Sequence, residues 1–297
     1  MTESEFLNAL RRLPLHPGAR GLLDDAALVD AGPLVLTTDT LVGGVHFLPD
    51  DPAEDVAWKL VAVSLSDLAA KGARPEGVLL NYPLAGGEAD ARFLAGLDAV
   101  LRRFDVLLIG GDTVSLPPNG TRVLSVTAIG ADAAAPPRSG GRAGDSLWVT
   151  GTIGNGGAGL AVARAGEGPA ALLSAYRRPW PRLAEGRAVA PHVHAMADIS
   201  DGLLIDATRM ASASGLGVTI ALDSVPLSPE VRDWGMGAME AATAGDDYEL
   251  LFAAAADWVP PVAATRVGSL QAGAGLTLTD GGVPVALPAQ LGFQHGG

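Results

Sequence analysis

Residues 34–39 read Leu-Val-Leu-Thr-Thr-Asp, and residues 105–113 read Asp-Val-Leu-Leu-Ile-Gly-Gly-Asp-Thr. Each is a short, apolar, β-rich run that stops at an aspartate, as a buried strand would if it delivered a carboxylate at its end. The pattern predicts strands over 34–38 and 105–109, ending at Asp39 and before Gly110-Gly111-Asp112-Thr113. Between them the period changes to that of a helix over 53–72. Asp51 can cap it, Pro52 suits its first turn, Glu54 and Asp55 favour its positive end, and Gly72 stops it. A strand over 77–80, a helix over 88–103 and a strand over 122–129 complete the first half, with a short amphipathic helix over 3–12 before it. Strands alternating with helices define an α/β or α+β domain.

Residues 131–145, Ala-Asp-Ala-Ala-Ala-Pro-Pro-Arg-Ser-Gly-Gly-Arg-Ala-Gly-Asp, lack apolar periodicity and mark a domain boundary. Two domains result, 1–135 and 136–297. The second half repeats the alternation. It has a strand over 146–151, helices over 156–166 and 182–190, and a short strand over 194–198. A helix over 202–214, a strand over 217–222, helices over 228–243, a strand over 248–255 and shorter strands follow. Both halves carry an aspartate-bearing turn, which points to two related domains.

The composition excludes several classes. With 297 residues the chain is long enough to bury a large core. It has no cysteine, so disulfides, thiolate nucleophiles, zinc fingers and iron–sulfur clusters are ruled out. No long apolar run predicts a membrane span, and Glu3 and Glu5 argue against a secretory signal. The expectation is a cytoplasmic protein with no membrane partner. Acidic residues number 33 against 20 Lys and Arg, a formal net charge of −13. No basic cluster exceeds Arg102–Arg103 and Arg177–Arg178, so nucleic acid is not an expected partner. The only lysines are Lys59 and Lys71.

Neither lysine follows the glycine spacing of a P-loop, and no protein-kinase catalytic loop or HExxH motif occurs. His192 and His194 fall on alternate strand positions without a third ligand. The turn Gly151-Thr-Ile-Gly154-Asn-Gly156-Gly157 follows a strand and opens a helix, so it reads either as a phosphate cradle or as a plain turn. The aspartates say more. Asp24-Asp25, Asp39, Ser66-Asp67, Asp112, Asp198-Ile-Ser-Asp201-Gly202 and Gly245-Asp246-Asp247 all sit at turns or element ends, and three of these end apolar strands, where α/β proteins place ligands. Any one alone reads as a turn or N-cap residue. Together they would repel strongly, by roughly 4 kcal/mol per pair at 4 Å, unless cations lay between them. Oxygen ligands without His or Cys suit Mg²⁺ bridging to substrate phosphates. The class implied is metal-assisted phosphoryl transfer without a P-loop.

Seven blocks, Leu-Leu-Asp-Asp-Ala-Ala-Leu (22–28), Thr-Thr-Asp-Thr-Leu-Val-Gly-Gly-Val-His-Phe (37–47), Ser-Leu-Ser-Asp-Leu-Ala-Ala-Lys-Gly-Ala-Arg-Pro (64–75), Leu-Ile-Gly-Gly-Asp-Thr (108–113), the run 138–154, Asp-Ile-Ser-Asp-Gly-Leu (198–203) and Gly-Asp-Asp-Tyr-Glu-Leu-Leu-Phe (245–252), occur in order and span nearly the whole chain. On these the sequence resembles the thiamine-monophosphate kinase family, of the aminoimidazole ribonucleotide synthetase-like superfamily. The resemblance implies that family's two-domain fold, with N-terminal domains pairing through their strands in a homodimer and ATP between the domains. It implies ATP and thiamine monophosphate as substrates, several Mg²⁺ ions, and thiamine diphosphate as product. Carried over, Asp25, Thr37, Thr38, Asp39, Asp67, Asp112, Asp198 and Asp201 would hold metal. Gly111, Asp112, Arg138 and Ser200 would contact ATP, and His46, Asp246 and Phe293 the thiamine phosphate. No side chain is implied as a covalent nucleophile.

The sequence departs from the family's pattern at three points. Leu23 replaces a glycine before Asp24-Asp25. Asp246 stands where a glutamate is usual. Lys71 stands where an apolar residue is usual and reads otherwise as a helix-surface lysine. The absence of cysteine argues against two other superfamily branches, the selenophosphate synthetases and the hydrogenase-maturation carbamoyl-dehydratases. An aminoimidazole ribonucleotide synthetase-like enzyme and a catalytically silent ATP-binding homologue are the alternatives.

Overall fold

A computed structural model describes residues 3–22 and 32–294. The chain folds as two compact units, one of residues 1–68 and 74–133, the other of 69–73 and 134–297.

In the first unit the elements run α1 (Glu3–Leu10), β1 (Val35–Val42), α2 (Ala53–Ala69), β2 (Arg74–Leu84), α3 (Gly87–Phe104), β3 (Leu108–Ser115) and β4 (Val123–Ala131). The strands form one sheet in the order β1-β4-β2-β3, with β2 and β3 parallel and the other pairs antiparallel. Alternation sets its faces. Leu124, Val126 and Ala128 of β4 and Val78, Leu80 and Tyr82 of β2 are buried, and each alternates with a less buried neighbour. Tyr82 stacks on Phe6 of α1, with ring centroids 4.7 Å apart, and packs on Phe93 of α3 at 4.2 Å. Asp90, wholly buried in α3, accepts from the Tyr82 hydroxyl and from the Ala85 and Gly86 amides, which joins the end of β2 to the start of α3. Gly96 lets α3 cross α2 closely, since a Cβ there would lie 2.2 Å from the Glu54 carbonyl oxygen.

Several elements differ from the sequence expectation. Asp39 lies inside β1, which pairs with β4 without a break from Val35 opposite Gly130 to Val42 opposite Val123. The ladder tolerates the carboxylate because backbone pairing ignores side-chain polarity. Asp105 ends α3 in a left-handed conformation, φ 52°, so the strand starts at Leu108 and runs past Asp112 to Ser115. The helix expected to reach Gly72 stops at Ala69. The Asp51 carboxylate accepts from the Leu48 amide in the preceding turn.

The second unit has a seven-stranded sheet. Its elements are β5 (Ser146–Thr150), α4 (Asn155–Ala165), α5 (Ala170–Arg177), α6 (Leu183–Val189), β6 (Ala195–Asp198), α7 (Leu203–Ala213), β7 (Gly217–Ala221), α8 (Pro229–Asp233), α9 (Ala238–Ala244), β8 (Leu250–Ala254), β9 (Ala264–Gln271), β10 (Gly275–Asp280) and β11 (Val283–Val285). The strand order is β11-β10-β7-β9-β5-β8-β6. β8 is buried along its whole length, as a central strand covered on both faces must be. The helix α5 was not expected; Gly166 and Gly168 interrupt the apolar period before it. Pro191 belongs to a 3₁₀ turn, so His192 precedes the strand and β6 begins only at Ala195. The helices expected over 228–243 are α8 and α9, separated at Gly235, whose φ is 89°.

Candidate active site

Two groups of chemistry-bearing side chains emerge, one in each unit. In the first unit, Thr37 and Asp39 project from the same side of β1, as residues two apart do. The Thr37 hydroxyl donates to Asp67 of α2, and the Ser64 hydroxyl of α2 donates to Asp39 at 2.8 Å. Ser64 and Asp67 are three residues apart, one turn of helix, so a single face of α2 meets both. Burial and the neighbouring Asp67 carboxylate push Asp39 up to about 6, against the lowering effect of the Ser64 hydrogen bond. Like charges held this close favour a cation, and the donors are all oxygens. Among the described residues no three His, Cys, Asp or Glu side chains gather to hold a metal ion. Mg²⁺ commonly uses only one or two protein carboxylates beside substrate phosphates, so the Asp39–Asp67 pair with its hydroxyls fits that ion.

The other first-unit candidates stand apart. The Thr38 side chain alternates to the opposite side of β1, where it donates to the Val126 carbonyl at 3.1 Å and accepts from Thr127. The Thr38 hydroxyl thus lies on the other face of the strand from the Thr37 and Asp39 side chains. Asp112 is exposed on β3, and Asp39, Val126, Leu80 and Gly111 fall in one cross-strand row. Three strand spacings, about 14 Å, therefore separate Asp39 from the neighbourhood of Asp112. The strand-end aspartates do not all converge, because Asp39 and Asp112 lie on opposite edges of the sheet. Gly111 has a steric reason of its own: a Cβ would lie 1.9 Å from the Leu80 carbonyl oxygen. Asp25 lies outside the described residues, as do Asp24 and Leu23. His46 closes the turn after β1, its Nδ1 accepting from the Val42 amide at 3.0 Å.

In the second unit, Asp198 ends β6 and is buried, and residues 199–202 cross to α7. Asp206, one turn into α7, organises that loop by accepting from the Ser200 and Asp201 amides at 3.1 and 3.0 Å. Arg209 Nη1 bridges Asp201 and Asp206 at 2.5 and 2.9 Å. The Asp201 carboxylate, expected to hold metal, is thus engaged by a guanidinium. The Asp246 amide donates to the Ser200 carbonyl, and the Phe293 amide donates to the Asp201 carbonyl. Ser200, Asp201, Asp246 and Phe293 are therefore neighbours, brought together from three separate segments. Asp246 has φ 61° and accepts from the Tyr248 hydroxyl at 3.0 Å. Arg138 is exposed, and its carbonyl accepts from Ser214.

The glycine turn before α4 is not an open phosphate cradle. Asp247 fills it, accepting from the Gly154 amide at 2.9 Å and from the Gly156 amide at 3.3 Å. The protein supplies its own carboxyl group at this helix N-terminus. Burial pushes Asp247 up to about 8 against these hydrogen bonds, with Glu249 and Asp246 adding to the rise. Two residues on, buried Glu249 is gripped by Arg182 at 2.7 and 2.5 Å and accepts from Thr150. Sequence reasoning missed Ser64, Asp206, Arg209, Arg182 and Glu249. Only the spacing of Ser64 from Asp67 and the acid run 246–249 signalled them. Lys71 is no plain surface residue: it donates to the Pro136 and Met196 carbonyls at 3.0 and 3.1 Å.

Comparison with known proteins places these features in a family. The sequence matches the AIR synthase related protein family, its N-terminal domain over residues 23–131 and its C-terminal domain over 142–276. It is 39% identical to a thiamine-monophosphate kinase from Caulobacter vibrioides, over 99% of this chain and 91% of the relative. The structure resembles that of a thiamine-monophosphate kinase from Stenotrophomonas maltophilia, with TM-score 0.79 and 35% identity over 89% of this chain and 91% of the other. It also resembles AaThiL complexed with AMPPCP and TMP, with TM-score 0.80 and 30% identity over 91% of each chain. No helix among the described residues is long and apolar enough to cross a membrane.

Proposed function

The chain belongs to the thiamine-monophosphate kinase family, and from that premise we propose that it transfers the γ-phosphoryl group of ATP to thiamine monophosphate, giving ADP and thiamine diphosphate. The observation that carries this reading is the likeness, over nine-tenths of both chains, to AaThiL holding AMPPCP, an ATP analogue that cannot transfer its terminal phosphate, together with TMP.

The reaction asks little of a base. An oxygen of the acceptor phosphate, already anionic at pH 7, bonds to the γ-phosphorus. The bond from that phosphorus to the β–γ bridging oxygen breaks, and the electron pair leaves with ADP. The barrier is repulsion between two anions and their alignment. The chain therefore needs acidic side chains that hold cations and donors that orient phosphate oxygens. Asp39 and Asp67, steadied by Ser64 and Thr37, are the best-supported Mg²⁺ ligands because their mutual repulsion is relieved by a cation. Bound there, Mg²⁺ would offset phosphate charge. Asp25, Asp112 and Asp198 are proposed as further ligands. Asp201 is a weaker candidate, since Arg209 already compensates its charge. Gly111, Arg138 and Ser200 are assigned to ATP. His46, Asp246 and Phe293 are assigned to thiamine monophosphate.

We also propose a homodimer in the cytoplasm. The first unit exposes Leu36, Val114 and Val123 on β1, β3 and β4, with Leu36 63% exposed, and both β1 and β3 are edge strands that invite pairing. Light scattering at micromolar concentration should give twice the 30.0 kDa chain mass. The activity is tested by incubating purified protein with ATP, Mg²⁺ and either thiamine monophosphate or thiamine. Thiamine diphosphate should form from the monophosphate, with little reaction on free thiamine. Phosphorylation of free thiamine alone would refute the assignment.

A further inference from the structure

The turn from β6 into α7 brings three charged side chains, Asp201, Asp206 and Arg209, within hydrogen-bonding reach of one another. The family resemblance gives Asp201 a metal ion, and the donors present at this turn decide whether one fits. Asp206 and Arg209 stand three residues apart on α7, nearly one turn of helix, which holds them side by side. The Asp206 carboxylate is buried and engaged on both oxygens. Its Oδ2 accepts from the Ser200 and Asp201 amides at 3.1 and 3.0 Å, and its Oδ1 accepts from Arg209 Nη1 at 2.9 Å. The same Nη1 donates to Asp201 Oδ2 at 2.5 Å. One nitrogen thus lies between two carboxylates, in the place a bridging cation would take. Mg²⁺ binds a carboxylate oxygen at about 2.0–2.1 Å and keeps waters around it. That ion and the guanidinium cannot share the space, and their charges repel. Arginine also does not yield by losing its proton, as a histidine or lysine can. The Asp39 and Asp67 carboxylates differ, because Ser64 and Thr37 meet them with hydroxyls that carry no charge.

We propose that Arg209 is a resident cation that stands in for a metal ion at this turn: it binds Asp201 against Asp206, Asp201 ligates no metal, and the chain holds one Mg²⁺ fewer than the resemblance implies. The positive charge at this turn is then permanent, present at any Mg²⁺ concentration. This rests on the kinase reading for the choice of Mg²⁺ as the cation, and it requires no turnover.

Mn²⁺ takes the same oxygen ligands as Mg²⁺ and is paramagnetic, so it counts the ions. The full chain is titrated with Mn²⁺, with and without AMPPCP, and the free ion is read by electron paramagnetic resonance. Asp201→Asn should bind as many Mn²⁺ ions as the wild-type protein. Loss of one bound ion in that variant would overturn the proposal. Arg209→Met uncovers two facing carboxylates and should gain one ion, which the double variant Arg209→Met/Asp201→Asn should lose again. Arg209→Lys keeps the charge and should keep the wild-type count. A wild-type count in folded Arg209→Met would also overturn the proposal, since no cation would then have been displaced. Asp201→Asn leaves Arg209 paired with Asp206, so that arm decides the matter even where Arg209→Met does not fold. Wild-type protein that gives the expected counts but forms no thiamine diphosphate would instead overturn the kinase reading and leave Arg209 in its role.

Discussion

The acids of the two units are balanced in different ways. In the first, Asp39 and Asp67 meet hydroxyls, from Ser64 and Thr37, which supply hydrogen bonds but no charge. In the second, Asp201 and Asp206 share Arg209, Glu249 is gripped by Arg182, and Asp247 lies against two backbone amides. Asp247, buried against amides that carry no full charge, is raised to about 8, while an acid matched by arginine is electrically complete within the fold. Two carboxylates steadied by hydroxyls are not, and Asp39 responds by holding its proton to about pH 6. Acidic residues of similar appearance in the sequence therefore sit in opposite surroundings, fastening loops in one unit and facing a second carboxylate in the other.

Substitution on the balanced side should have the largest effect on stability. Arg182→Met leaves buried Glu249 with the Thr150 hydroxyl as its side-chain donor among the described residues. Loss of one partner of a buried pair costs about 3–5 kcal/mol. Urea denaturation should show a loss of this order, and a change under about 1 kcal/mol, the range of a solvated surface pair, would place Glu249 in water. On the unbalanced side the same logic reverses the sign. Asp39→Asn should lower kcat by about 100-fold or more, given the several kcal/mol that cation charge contributes. Its thermal midpoint in chelator should hold or rise, because a like-charge repulsion is gone. Near-normal turnover would make Asp39 a structural residue.

Asp246 lies between these extremes, held in a left-handed conformation and accepting from the neutral Tyr248 hydroxyl. If it meets the thiamine moiety, Asp246→Ala should raise the KM for thiamine monophosphate about tenfold and leave that for ATP nearly unchanged, as loss of a charge-assisted hydrogen bond of about 1.5 kcal/mol predicts. A fall in melting temperature with both KM values intact would confine it to shaping the turn.

The smallest effect is a pH dependence. Asp39 is raised from 3.8 to about 6 in the folded protein, so the folded state binds more protons than the unfolded one in that interval. Its contribution to stability is full below about pH 4 and is lost as pH rises through 6. In chelator the thermal midpoint should therefore decline modestly between about pH 4 and 7, and Asp39→Asn should flatten that slope. The stabilisation given by Mg²⁺ should grow over the same range, because the cation requires the ionised carboxylate. A wild-type slope that survives in Asp39→Asn would assign it to other groups.

Much of the fold was legible because periodicity is local. The helix beginning near residue 53, the helix over 88–103 and the strand into Asp198 follow from apolar spacing and end signals that need no distant partner. Errors fell where a neighbour decides. Asp39 looked like a strand end because it is charged, but β4 pairs with β1 along its whole length. The Gly151–Gly157 turn read equally as a phosphate cradle or a plain turn, because its occupant, Asp247, lies far along the chain and reaches it only through the fold.

The sequence by itself determined the class of chemistry. A chain without cysteine, rich in aspartate at turns and element ends, and carrying seven blocks in family order offers oxygen atoms to any cation and points to phosphate substrates. Only the tertiary structure decided which aspartates act alone. Whether Asp201 is free to take a cation depends on Arg209, and whether Asp39 shares its charge depends on Asp67, each supplied by another element. Electrostatic energy depends on distance in space, and spacing along the chain does not fix that distance.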